Sequence, residues 1–226
     1  MLSLKSYSQC VRDHRADKDL LQNFLNVPDV SGVFLEMGAC DGVLYSNTKL
    51  LEEKLNYTGI LIEPGIDFYQ KLIKNRPKCK NYNIAISNKE GEVSFIGKET
   101  AVGGVVNSLA NNWVRDWKLS TNEIYNIKTT KLRNILKDAG VKYIDLWSLD
   151  VEGSELEVLK GMDWNIPVYI IIIEVAHDVY KERTEKCREI LRKQGFTCDG
   201  IRRGLDEFWI NNNYFRKDLL FKKFNN

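Results

Sequence analysis

Little in this chain advertises a specialised class. Net charge is +2, from 33 basic and 31 acidic residues, so no overall field points to nucleic acid or an anionic membrane. The five cysteines (Cys10, Cys40, Cys79, Cys187, Cys198) contain no C-x-x-C pair, which argues against a zinc ribbon or a thioredoxin-like motif and for reduced thiols. No apolar run is long enough to cross a bilayer; the longest, Val168–Ala176, is far too short. The N-terminus lacks the apolar stretch of a signal peptide. The expectation is a soluble, cytoplasmic protein. Prolines number only four, each at a turn or an element boundary.

What is present is a repeated alternation. Val33–Ala39, Gly59–Glu63, Tyr82–Ser87, Ile144–Asp150 and Val168–Val175 read as strands buried on both faces. Helical periodicity lies between them, at residues 47–56, 66–76, 129–140, 154–162 and 179–195. Ser154 and Glu157 have the spacing of a capping box. Residues 196–212 read as two strands around a glycine turn, an antiparallel hairpin closing the sheet edge. With 226 residues and 43% apolar content, this predicts one α/β domain over 1–226: a mostly parallel sheet with helices on both faces.

In such sheets ligands bind beyond the carboxyl ends of the strands. Polar residues that end apolar strands are therefore the candidates: Glu36 to Asp41, Glu63, Ser87, Asp150 with Glu152, and Glu174 with His177. The first loop reads Glu36-Met37-Gly38-Ala39-Cys40-Asp41-Gly42. A dinucleotide fingerprint would place G-x-G-x-x-G here to approach a pyrophosphate. Asp41 would repel one. A cationic cofactor without phosphate, S-adenosylmethionine, fits the loop better, with Gly38 and Gly42 allowing close backbone approach. Glu63 then accepts the ribose hydroxyls, or else caps the next helix. Glu36 either touches ligand or orients its own loop.

Taken together, "SYSQCVRD", "FLEMGACDGVLYSNTKLLE", "GILIEPG", "YNIAIS", "TTKLRNIL" and "LDVEGSELEVLKGM" resemble the FkbM family of S-adenosylmethionine-dependent methyltransferases, over roughly residues 6–175. The resemblance implies a Rossmann-like class I methyltransferase fold. It also implies methyl transfer to oxygen, often on a sugar or other small-molecule hydroxyl. It places cofactor contacts at Gly38, Asp41 and Glu63, with Ser87 near the adenine. The full set expected at the cofactor is Glu36, Gly38, Ala39, Asp41, Gly42, Asn47, Thr48, Glu63, Pro64, Ser87 and Asp150.

The resemblance places the acceptor side around Asp150, Glu152 and Glu174, at the fourth and fifth strands. An alcohol needs a general base or an acidifying metal to attack at neutral pH. Asp150, Glu152 and His177 are the candidate bases. If the two strands are neighbours, Asp150 and Glu174 end about 5 Å apart and, with His177, could hold Mg²⁺ or Mn²⁺. Residues 98–126 are too long for an ordinary connection and read as a lid or acceptor-side insertion. Trp113 and Trp117 share a helical face there, as a wall for a sugar ring with Arg115 as a polar partner, or as anchors for a short helix. The expected partner is a sugar or glycan, with no nucleic acid and no membrane. Other acceptors (nucleic acid, protein) and a catalytically silent cofactor-binding domain are the rival readings; no Pro-Pro motif of the amino-methylating DNA enzymes occurs.

Overall fold

The computed structural model describes residues 31–175, 181–202 and 206–220. Eleven strands and seven α-helices are found among these residues. β1 (Val33–Met37), α1 (Lys49–Leu55), β2 (Thr58–Ile62), α2 (Ile66–Asn75) and β3 (Lys80–Tyr82) form the first half. β4 (Ala85–Ile86), β5 (Gly91–Ile96), β6 (Gly104–Val105), α3 (Trp113–Asp116) and β7 (Ile124–Thr130) follow. The second half is α4 (Leu132–Asp138), β8 (Ile144–Leu149), α5 (Glu155–Gly161), β9 (Val168–Glu174), α6 (Lys181–Lys193), β10 (Thr197–Arg202), β11 (Asp206–Ile210) and α7 (Lys217–Leu220).

The main sheet has the order β10-β11-β9-β8-β1-β2-β3. β3, β2, β1, β8 and β9 run parallel, while β11 runs antiparallel to β9 and to β10. The Rossmann-like class and the closing hairpin are as the sequence predicts. Alternation along the strands divides the core in two. Leu35, Met37, Trp147 and Leu149 face α4, α5 and α6 through Leu136, Leu159 and Leu191. Phe34 and Leu146 face α1 and α2 through Leu51, Leu55 and Leu72. All six residues of β8 are buried, and each fully buried aliphatic chain contributes roughly 1.5–3 kcal/mol. The strand order reverses at β1, because β2 lies on one side and β8 on the other. That reversal opens a crevice at the carboxyl ends of β1 and β8, where the polar residues gather.

Three sequence expectations need correction. Residues 82–87 are not one strand. β3 ends at Tyr82 in the main sheet, and β4 starts at Ala85 in a second sheet of order β4-β7-β5-β6. Asn83 lies at the break and donates its side-chain amide to the carbonyls of Glu63 (2.8 Å) and Pro64 (3.0 Å). The helix expected over 129–140 starts only at Leu132, because Thr129 and Thr130 belong to β7. The capping box does not form: Ser154 makes no side-chain cap, and Glu155 instead accepts from the amides of Val151 (3.2 Å) and Gly153 (3.0 Å). Among the described residues no helix is long and apolar enough to cross a membrane.

Candidate active site

The site begins where β1 turns at Gly38. Its φ of +76° suits glycine, and a Cβ there would lie 1.9 Å from the Asp150 carbonyl oxygen. The amides of Gly38 and Ala39 donate to the Ile62 carbonyl, and the Asp150 amide donates to the Met37 carbonyl at 3.3 Å. The ends of β1, β2 and β8 are thus drawn together. Beyond them, the Cys40 amide donates to Glu63 Oε2 at 2.8 Å, and the Gly65 amide donates to Glu63 Oε1 at 2.6 Å. Burial pushes the Glu63 carboxyl up to about 7 against these two bonds. On its far side, the Tyr125 hydroxyl donates to the Pro64 carbonyl at 2.9 Å.

The loop after β1 is held from beneath. Glu36 accepts from Ser46 Oγ (2.8 Å), the Asn47 amide (2.6 Å) and Thr48 Oγ1 (2.7 Å). Arg76, at the end of α2, is buried and donates to the Gly42 carbonyl (3.0 Å), Ser46 Oγ (3.2 Å) and Thr48 Oγ1 (3.2 Å), and it pairs with Glu52. Burial raises the Glu36 carboxyl, and the Arg76 guanidinium 3.9 Å away opposes that rise. Asp41 Oδ1 accepts from the amides of Val43 (2.9 Å) and Leu44 (2.6 Å), shaping the turn. A Cβ on Gly42 would meet Leu72 and Arg76 within 2.7 Å.

A cavity of about 620 Å³ opens above this loop. Glu36, Gly38, Asn47, Glu63, Pro64 and Asp150 of the expected cofactor set line it. Ala39, Asp41, Gly42 and Thr48 do not; their place is in or under the loop. Ser87 also lies outside the lining, with its amide on the Thr130 carbonyl (2.9 Å), while Ala85 and Ile86 of the same segment face the cavity.

On the other side, β8 and β9 are neighbours, as expected. Asp150 follows β8, Glu174 ends β9, and Glu152 occupies the turn with φ +52°. One carboxylate oxygen from each lies within 4.8 Å of the others. Asp150 is itself exposed, yet partial desolvation by the groups around it, then the neighbouring carboxylates Glu174 and Glu152, hold its carboxyl well above its usual range. Burial, with Glu174 and Glu155, pushes Glu152 up to about 9. Among the described residues Glu152 joins Asp150 and Glu174; His177, the third member expected from the sequence, lies outside the described residues. Ser154 lines the same cavity, and its buried Oγ has no hydrogen-bond partner among the described residues.

The 98–126 segment lines the cavity through Thr100, Val102, Val105, Trp113 and Trp117. Trp113 and Trp117 both line the cavity, with ring centroids 5.8 Å apart. Trp113 Nε1 donates to the Val102 carbonyl at 3.0 Å, so this ring is both wall and anchor. Arg115 is exposed, pairs with Asp116 at 3.0 Å and does not line the cavity. The segment is pinned at two further points. The Lys98 carbonyl accepts from the first amides of α2, Asp67 (3.0 Å) and Phe68 (3.2 Å), and Arg183 bridges the carbonyls of Ser108 (2.5 Å) and Gly153 (2.9 Å).

Two lining residues escaped the sequence reading. Ser148 is the lone hydroxyl in the apolar stretch Ile144–Leu149, and it accepts from Asn47 Nδ2 at 3.0 Å. That isolation was its available signal. Tyr45, in the loop with φ +57°, had none.

A model of the methyltransferase FkbM domain matches residues 36–198. The chain belongs to the FkbM methyltransferase family. A family relative, the hexuronic acid methyltransferase AglP of Haloferax volcanii, is 26% identical over 170 residues, covering 73% of this chain and 64% of AglP. The crystal structure of the FkbM methyltransferase from Methylobacillus flagellatus KT superposes with a TM-score of 0.51 at 15% identity, over 91% of this chain and 57% of that one. The chain therefore spans less than two thirds of the length of either FkbM relative. The matched region starts at Glu36 and runs through the first loop, Glu63, the 98–126 segment and the Asp150–Glu174 carboxylates.

Proposed function

We propose that this chain is an S-adenosylmethionine-dependent methyltransferase that methylates a hydroxyl of a sugar or glycan. The observation that carries this reading is the acidic end of the β1–β2 crevice, with Glu63 set by two backbone amides. A carboxylate has about four lone-pair sites, and these amides use two. The remaining pair suits the two hydroxyls of a ribose. The buried Asn47 Oδ1 has no partner among the described residues, and Asn47 lines the same cavity, which suits an ammonium donor. A cavity of about 620 Å³ has room for a cofactor and part of an acceptor. Gly38, Asn47, Glu63 and Pro64 would hold the cofactor, with Ile86 beside the base.

When bound, S-adenosylmethionine supplies an activated methyl group on a sulfonium. The chain must then orient the acceptor hydroxyl in line and take its proton. Asp150, Glu152 and Glu174 are the groups placed to do so. Three carboxylates this close cannot all be charged, so protons are shared among them. The ionised member accepts the hydroxyl proton, and its neighbours spread the charge. Trp113 and Trp117 supply flat apolar faces for a sugar ring, and the segment carrying them acts as the acceptor-side cover. The AglP name, a hexuronic acid methyltransferase, supports a sugar acceptor.

A second version seats Mg²⁺ or Mn²⁺ on Asp150, Glu152 and Glu174, an all-oxygen set that suits hard cations. The two versions separate in one assay. Full-length protein, methyl-deuterated S-adenosylmethionine and a panel of neutral, amino and acidic sugars are followed by mass spectrometry, with EDTA or with Mn²⁺. A methyl ether formed in EDTA supports the base version, and one formed only with Mn²⁺ the metal version. Transfer to RNA or protein but to no sugar contradicts the reading.

A further inference from the structure

Resting on that reading, we infer that the acceptor carries a positive charge beside its reacting hydroxyl: an amino sugar, or a comparable amine-bearing alcohol, rather than a uronate. The acceptor end of the cavity is built from one sign of charge. Glu36, Glu63 and Glu155 also line the cavity, but their oxygens are engaged by backbone amides and, at Glu36, by loop hydroxyls. Asp206, opposite Glu174 across β11 and β9, also lines it, and Asp150, Glu152 and Glu174 converge within 4.8 Å. Among the described residues, no Lys, Arg or His lines the cavity. An acceptor carboxylate placed there would meet the negative charge that this proton-sharing cluster retains and, among the described residues, no lining counter-charge. Like charges at this separation repel by several kcal/mol in a partly buried site.

Two further features point to a donor-rich cation. Ser154 is 95% buried, lines the cavity next to the Glu152 turn, and offers an Oγ with no partner among the described residues. An ammonium has three N–H donors to share between such a hydroxyl and the carboxylates. Trp113 and Trp117 stand at the same cavity, and aromatic faces attract cations as well as sugar C–H groups. Three carboxylates, an orphan hydroxyl and two indoles together form a receptor for an aminium on a ring.

The test uses the full chain, dialysed against EDTA and saturated with S-adenosylhomocysteine. Methyl glucosaminide, methyl glucoside and methyl glucuronide are titrated separately and followed by saturation-transfer NMR and calorimetry. The expected order is glucosaminide tightest, by tenfold or more over glucoside, with glucuronide weakest. In Glu174→Gln the preference for glucosaminide over glucoside shrinks several-fold, and added salt reduces it in the parent protein. Glucuronide binding as tightly as glucosaminide overturns the inference, as does absence of saturable glucosaminide binding. Glucuronide binding that appears only with Mn²⁺ also overturns it, in favour of a metal-bridged acid. Failure of S-adenosylhomocysteine itself to bind marks failure of the methyltransferase reading; its binding with the reversed sugar order marks failure of the charge inference alone.

Discussion

The backbone amide of Cys40 donates to the Glu63 carboxylate at 2.8 Å, tying the loop after β1 to the end of β2. The bond fixes one oxygen of Glu63, and the Gly65 amide fixes the other. Glu63→Gln keeps the shape but turns an amide NH₂ toward a backbone N–H. A hydrogen bond to a charged group is worth about 1.5–3 kcal/mol. Binding of S-adenosylhomocysteine by this variant should weaken by about 10- to 100-fold, measured by calorimetry. An unchanged Kd would remove Glu63 from the cofactor site.

Glu63 also sets a pH dependence. Burial raises its carboxyl from 4.5 to about 7 in the folded protein. The folded state thus holds this proton more tightly than the unfolded chain does. The stability it contributes is complete below pH 4.5 and is lost as pH rises to 7, a change of about 3 kcal/mol. Relative to the parent, Glu63→Gln should gain stability between pH 5 and pH 8 in denaturant titrations. Ribose hydroxyls donate most strongly to the ionised form. Affinity for S-adenosylhomocysteine should therefore rise with pH to about 7 and then level off.

Arg76 holds the cofactor loop without lining the cavity. It is 1% exposed and reaches Gly42, Ser46, Thr48 and Glu52, while Glu36 grips the same loop from β1. Removing one partner of a buried ion pair costs about 3–5 kcal/mol. Arg76→Met should lower the unfolding free energy by that amount. The double variant Arg76→Met/Glu36→Gln should lose less than the sum of the single changes. Additive losses would show that the two residues act independently.

Gly38 permits the closest backbone approach in the site. Gly38→Ala places a methyl group 1.9 Å from the Asp150 carbonyl, at a φ of +76°. The ends of β1 and β8 must separate to admit it. The variant should lose S-adenosylhomocysteine binding and show a reduced melting temperature in the same scan. Parent-like binding would mean that the β1–β8 crevice is not the cofactor site.

The frame of the main sheet was legible because β1, β2, β8 and β9 are mostly apolar runs with an acid at or just before or after their ends. The second sheet was not. β5 is exposed over most of its length, and in β7 only Ile127 and Thr129 are buried, so the alternation is faint. The change of sheet at Asn83 leaves no mark on hydropathy, because Tyr82 and Ala85 both follow the apolar pattern of a single strand. At the site, residue types were readable but their roles were not. Glu36 and Asp41 look alike as strand-end acids, yet both spend their oxygens on loop donors. Glu63 differs only through the amides brought to it by folding. The Ser154–Glu157 spacing was overridden by Glu155, whose carboxylate reaches the Val151 and Gly153 amides first.

The central claim is that the crevice between β1, β2 and β8 takes an adenosyl cofactor without phosphate. Calorimetric titration of the full chain with S-adenosylhomocysteine, and separately with NAD, tests it most directly. The account predicts saturable one-to-one binding of S-adenosylhomocysteine, weakened at least tenfold by Glu63→Gln, and no heat with NAD. Saturable binding of NAD with none of S-adenosylhomocysteine would contradict it.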